Sequence, residues 1–175
     1  MTQYKRHFVN GGCYFFTVNL HDRSTSLLTD NIKLLRKAFA GVKAKHPFTI
    51  DAAVIMPEHL HCILTLPPDD QNFSLRWRQI KADFSRQLAC NEERSISRLS
   101  KNERGIWQRR FWEHWIRDQN DFNNHVNYIH YNPVKHHYCS HPSDWPYSSF
   151  HRFVKFGHYE QRWTMAEAFE GDFGE

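Results

Sequence analysis

Apolar and polar positions follow two different periods along this chain, and the switches between them mark out seven elements. Cys13-Tyr14-Phe15-Phe16-Thr17-Val18-Asn19-Leu20 follows Gly11-Gly12 and is aromatic and β-branched, the composition of a strand. Over Asn31 to about Ala44, Ile32, Leu35, Phe39 and Val42 recur at helical spacing, with Asp30 the expected N-cap and His46-Pro47 the stop. Phe48 to Met56 predicts a second strand. After the break Met56-Pro57-Glu58, His59 to Leu66 predicts a third, ended by the turn residues Pro67-Pro68-Asp69-Asp70. So short a connection implies antiparallel neighbours, a hairpin at the centre of a sheet.

A second helix is expected from Ser74 to about Cys90. Leu75, Ile80, Phe84 and Leu88 form its apolar side, and Arg76, Arg78, Lys81 and Arg86 its outer surface. Residues 91–104 are polar and read as a loop, and Gly105 to Ile116 as a fourth strand. Asp118 opens a third helix with the stripe Phe122, Val126 and Ile129. Asn132-Pro133 should close it, because a residue before proline is pushed out of the α region. The order predicts an α+β fold, a ferredoxin-like antiparallel sheet with helices packed on one face. One domain is expected over residues 1–175, with an acidic tail from about 164 to 175 to which no function is assigned.

Composition narrows the classes. No apolar run among the 175 residues nears the roughly 18 needed to cross a bilayer, and the N-terminus lacks a signal peptide's apolar stretch, so a cytoplasmic protein is expected. Cys13, Cys62, Cys90 and Cys139 are scattered, which suits reduced thiols. The run His136-His137-Tyr138-Cys139-Ser140-His141 would need a further ligand to hold zinc, and none lies nearby in sequence. The formal charge is +4, but 12 Lys and Arg against 7 Asp and Glu fall between Arg76 and His136. With 13 His and 27 aromatics, that basic middle suits a polyanion with exposed bases, and a solvated face equally.

Chemistry concentrates at two places. In a strand His59 and His61 point to one side while Leu60, Cys62 and Leu64 point to the other. Two imidazoles side by side on that surface could chelate one divalent ion or stand solvated. On the third helix Tyr128 and Asn132 lie one turn apart on one face, with Tyr131 about 60° away and His125 a turn earlier. Over a two-histidine metal site, the amide could complete the coordination and the phenol could attack phosphorus. A free phenol, with a pKa near ~10, needs help to do so. Equally, Tyr128 could simply pack on the sheet and Asn132 end the helix.

Taken in order, Met56-Pro57-Glu58-His59-Leu60-His61 and Tyr128-Ile129-His130-Tyr131-Asn132-Pro133-Val134-Lys135 resemble the REP-associated tyrosine transposases, HUH single-strand DNA endonucleases with one catalytic tyrosine. The likeness extends to Gly11–Leu20, Trp107–His114 and Asp144–Phe150. It implies a magnesium- or manganese-dependent nickase and strand transferase acting on hairpin-forming repeats, in the bacterial cytoplasm at the nucleoid, as a monomer or homodimer. His59 and His61 match the family's metal pair, Asn132 its amide ligand and Tyr128 its nucleophile, which would form a 5′-phosphotyrosine link. Arg6, Lys81, Arg109 and Arg110 are candidate contacts to single-stranded or hairpin DNA. A non-catalytic hairpin-binding repressor is the main alternative. An RNA-binding module is a weaker one, since the Lys/Arg-Gly-Phe/Tyr signature is missing.

Overall fold

The computed structural model of the chain describes residues 6–90, 92, 94–165 and 173–174. Its centre is the stretch with the most regular alternation. β1 (Cys13–Asn19) and β3 (His59–Thr65) pair antiparallel from Cys13 against Thr65 to Asn19 against His59. β2 (Thr49–Ile55) flanks β3 and β4 (Trp112–Trp115) flanks β1, both antiparallel, giving the order β2-β3-β1-β4. The tight β2–β3 hairpin is as expected, but it is not central. Tyr14, Phe15, Phe16 and Val18 of β1 are all fully buried, and a strand so apolar on both faces takes the slot beside β3, leaving β2 at an edge.

β4 is shorter than the expected Gly105–Ile116 strand. Ahead of it only an isolated bridge, Leu20 with Trp107, touches the sheet. Trp107 packs on Phe84 at 5.5 Å and Phe111 on Phe16 at 5.8 Å, so side-chain packing draws this segment off the sheet plane.

The helices are α1 (Leu27–Asp30), α2 (Ile32–Lys45), α3 (Phe73–Arg86), α4 (Ile96–Leu99), α5 (Gln119–Lys135) and α6 (Phe150–Lys155), with a 3₁₀ turn at Pro142–Asp144. Asp30 does not cap α2; it ends α1, its carboxylate taken by Ser26, and Asn31 holds the cap position. The expected 91–104 loop contains α4. Asp118 does cap α5, accepting the Asp121 N–H at 2.8 Å. Asn132-Pro133 does not close that helix, which runs on to Lys135. Proline costs one N–H there, while His136 N–H still donates to Asn132 O at 3.0 Å and Tyr138 N–H to Pro133 O at 2.9 Å.

The α+β class and antiparallel sheet hold, but the helices occupy both faces. Tyr14, Phe16 and Val18 with Leu60, Cys62 and Leu64 meet Leu35 and Val42 of α2 and Trp77, Ile80 and Phe84 of α3. Phe15, Ala52, Val54 and Ile63 meet Val126, Tyr128 and Ile129 of α5 on the other face. Arg76, expected outside, is 1% exposed. Its guanidinium donates to Pro47 O at 2.7 Å, Asn72 O at 3.0 Å and Asp70 at 2.8 Å, which satisfies a charge inside the fold. Of the expected acidic tail, residues 166–172 and 175 lie outside the described residues. Among those described, no helix is long and apolar enough to cross a membrane, and the four cysteines are free thiols.

Candidate active site

Strand alternation sends His59 and His61 toward α5, as their spacing requires, yet they are not at a surface. Both are 0% exposed because α5 covers them. Their rings lie 4.9 Å apart at 77°. Register supplies a partner for each. Thr17 stands directly across from His61, with 2.8 Å between Oγ1 and Nδ1, and Thr17 donates its own hydrogen to Phe173 O. His61 is therefore the donor to Thr17. His59 Nδ1 lies 2.8 Å from Glu58 Oε1, and Arg23 reaches the same carboxylate at 3.4 Å. Burial pushes the Glu58 carboxyl up, but the hydrogen bond and charge of His59, with Arg23, hold it below its usual range. With Nδ1 of each ring engaged by Glu58 or Thr17, an ion held here would be ligated through Nε2.

α5 brings the remaining groups. The Tyr128 ring, 1% exposed, packs edge-on to His61 at 5.3 Å. Two turns further on, His136 meets His59 at 5.4 Å. Asn132, 0% exposed, falls midway between them on the same helical face and so over the histidine pair. Tyr131 turns away to meet Trp163 at 6.3 Å. Two imidazole nitrogens and an amide oxygen are the mixed nitrogen and oxygen donors that would suit a divalent ion able to keep waters or phosphate oxygens in its remaining positions.

Three contacts at Tyr128 and His59 escaped the sequence reading. Lys135 Nζ donates to the Tyr128 hydroxyl at 3.1 Å and lies 4.8 Å from its ring centroid. Phe173 stacks on the same ring at 3.7 Å and 4°, while Gly174 lies against Trp112. His136 was weighed only for zinc. Glu58 had a sequence signal, a carboxylate next to a candidate ligand. Thr17 and Phe173 had none, since only register and tertiary packing place them.

A second polar cluster sits beside this one. His114 of β4 and Asp121 and His125 of α5 bring donor atoms within 4.8 Å of one another. Asp121 already takes hydrogen bonds from His114 Nε2 at 2.9 Å and from the Arg117 backbone and guanidinium at 3.1 Å, with His125 Nδ1 also at 3.1 Å. Burial raises its carboxyl, and these hydrogen bonds bring it down to about 2. The cluster pins the start of α5 to β4.

Arg6, Lys81 and Arg109 line a groove of about 790 Å³ on the α3 side, with Arg78, Arg98, Trp107 and Phe111. Arg6 is anchored on the sheet edge: it pairs with Glu113 at 3.1 Å and lies 4.7 Å over Phe111. Arg109 pairs with Glu103 at 2.8 Å, and Arg110 is exposed. Lys81 donates to Gln108 O at 3.0 Å, and burial, with Arg6 nearby, lowers its pKa to about 8.

The family described as IS200-like transposase matches residues 9–132. A REP-associated tyrosine transposase of Escherichia coli K12 is 48% identical over 164 residues, covering 94% of this chain and 92% of the relative. A Haemophilus influenzae relative is 47% identical over 165 residues, covering 93% of each. A solved structure of a REP-associated tyrosine transposase bound to a REP hairpin superposes with TM-score 0.81 at 44% identity, covering 100% of this chain and 94% of that one.

Proposed function

The chain belongs to the IS200-like transposase family, among the REP-associated tyrosine transposases, and from that premise we propose that it nicks and rejoins hairpin-forming single-stranded DNA through Tyr128. The solved relative was captured on a REP hairpin, which supports the same class of substrate here. His59, His61 and Asn132 would hold the divalent ion, magnesium or manganese. That ion supplies Lewis-acid polarisation of the scissile phosphate. The single observation that carries the reading is the Tyr128 ring against His61, 5.3 Å away, on the face of the sheet that α5 covers.

The chain's own residues do the rest. Glu58 and Thr17 fix the ring orientations of His59 and His61. Asp118 and the His114–Asp121–His125 cluster set the start of α5, and hence the depth of Tyr128. The Tyr128 oxygen attacks phosphorus, the P–O3′ bond breaks, and the DNA is left as a 5′-phosphotyrosine and a free 3′-hydroxyl. The bond energy stays in the ester, so a 3′-hydroxyl can reverse the step without a nucleotide cofactor. Arg6, Lys81, Arg109 and Arg110 would carry phosphates. Because the groove that Arg6, Lys81 and Arg109 line opens on the α3 side, DNA reaching Tyr128 would pass round the β4 edge.

A labelled hairpin oligonucleotide with Mg²⁺ or Mn²⁺ tests this. Wild type should form a covalent protein–DNA adduct, Tyr131→Phe should keep it, and Tyr128→Phe should abolish it. Chelator should stop cleavage and spare part of the binding. Tight binding with no adduct in either metal would instead establish a hairpin-binding protein without catalysis.

A further inference from the structure

Lys135 belongs to a motif that the metal pair and the nucleophile leave unexplained. It lies two turns beyond Tyr128, in the last turn of α5, and gets there only because the helix continues through Pro133. Its Nζ is 3.1 Å from the Tyr128 hydroxyl. The lysine is exposed while Tyr128 is 1% exposed, so the contact joins a buried ring to a cation at the surface. A basic residue in the last turn favours the helix dipole anyway, but that role needs no contact with one particular oxygen.

We propose that Lys135 is a second catalytic residue, an ammonium that stabilises negative charge on the Tyr128 oxygen as its bond to phosphorus forms and breaks. The inference rests on Tyr128 being the nucleophile. In cleavage the Oη–P bond forms, P–O3′ breaks, the phenolic proton passes to water and the departing 3′ oxygen takes one from water. In rejoining the 3′-hydroxyl attacks phosphorus and gives its proton to water. The Oη–P electron pair returns to the phenol oxygen, which is a phenolate until it is reprotonated. Lys135 keeps its proton throughout and donates a hydrogen bond to an oxygen far more basic as phenolate than as ester, so it favours charge development in both directions.

The test uses the full chain under single-turnover conditions, measuring cleavage of a hairpin oligonucleotide, rejoining of the adduct to a 3′-hydroxyl strand, and hairpin binding. Lys135→Gln should slow both chemical steps on the order of 100-fold, as losing one aimed donor does elsewhere, with binding within about twofold of wild type. Lys135→Arg should recover most of the rate. Placing 3,5-difluorotyrosine at position 128 makes a better phenolate leaving group and should shrink the rejoining deficit of Lys135→Gln. Wild-type rates in Lys135→Gln would overturn the proposal, as would a rate loss that tracks weakened binding, which marks a phosphate contact. A deficit untouched by fluorination would do the same. Those failures leave the Tyr128-dependent adduct intact, whereas an adduct that survives Tyr128→Phe removes the nucleophile itself.

Discussion

The two faces of one four-stranded sheet do different work, and β3 contributes to both with alternate residues. Leu60, Cys62 and Leu64 enter a face closed by α2 and α3 with aromatic and aliphatic side chains. His59 and His61 enter the α5 face, where Thr17, Glu58, His125, Tyr128 and Asn132 are also buried. On the first face burial removes apolar area from water and stabilises the fold. On the second, each buried polar group needs a partner, and those partners fix ring orientations. A strand's period of two thus separates stability from chemistry at no cost in length.

The sharpest way to break that comparison is to substitute one residue on each side. His61→Gln should cut cleavage by roughly 1000-fold, about 4 kcal/mol of barrier, and leave the thermal midpoint nearly unchanged. Trp77→Ala should do the opposite. It should lower unfolding free energy by about 3–5 kcal/mol in denaturant titration, and the protein that stays folded should still form the adduct. Equal losses in both assays for both variants would mean that the faces are not separable.

Thr17→Val removes both hydrogen bonds of the Thr17 hydroxyl, the one that orients His61 and the one to Phe173 O. It keeps the volume but removes the acceptor for His61 Nδ1–H, so affinity for Mn²⁺ by titration calorimetry should fall about 10–100-fold. Phe173→Ala should act in the other direction. Phe173 covers one side of the Tyr128 ring, and a stack worth about 1 kcal/mol, once removed, should raise the cleavage rate about fivefold. An unchanged rate would place Phe173 outside the substrate's path.

The smallest effect is on DNA binding from the α3 side. Lysine is cationic below its pKa, so a value lowered to about 8 leaves Lys81 charged at pH 7 and neutral once pH rises past 8. Between pH 7 and pH 9 Lys81 loses about 0.8 of a charge, so the log–log slope of hairpin affinity against salt should flatten by about 0.6–0.7 in wild type and by clearly less in Lys81→Met.

Much of this architecture was readable before any coordinates. The His59–His61 alternation, the Asp118 cap, the order of the four strands and three longest helices and the Tyr128–Asn132 helical face all follow from local signals, whereas the short helices α1, α4 and α6 do not. The expected outward position of Arg76 failed because three carbonyl and carboxylate partners make burial tolerable, and those partners come from Pro47, Asp70 and Asn72. The expected end of α5 failed because proline near a helix terminus loses one hydrogen bond without losing the helix.

Local spacing therefore determined which side chains share a strand face or a helix face, since neighbours within one element are set by backbone geometry alone. It took tertiary structure to decide that α5 covers the histidines, that Thr17 orients His61, that Lys135 meets the phenol oxygen and that Phe173 stacks on the tyrosine. Each of those contacts joins residues of different elements or depends on how far a helix persists. Such pairings are selected by the packing of the whole chain, a constraint that no window along the sequence contains.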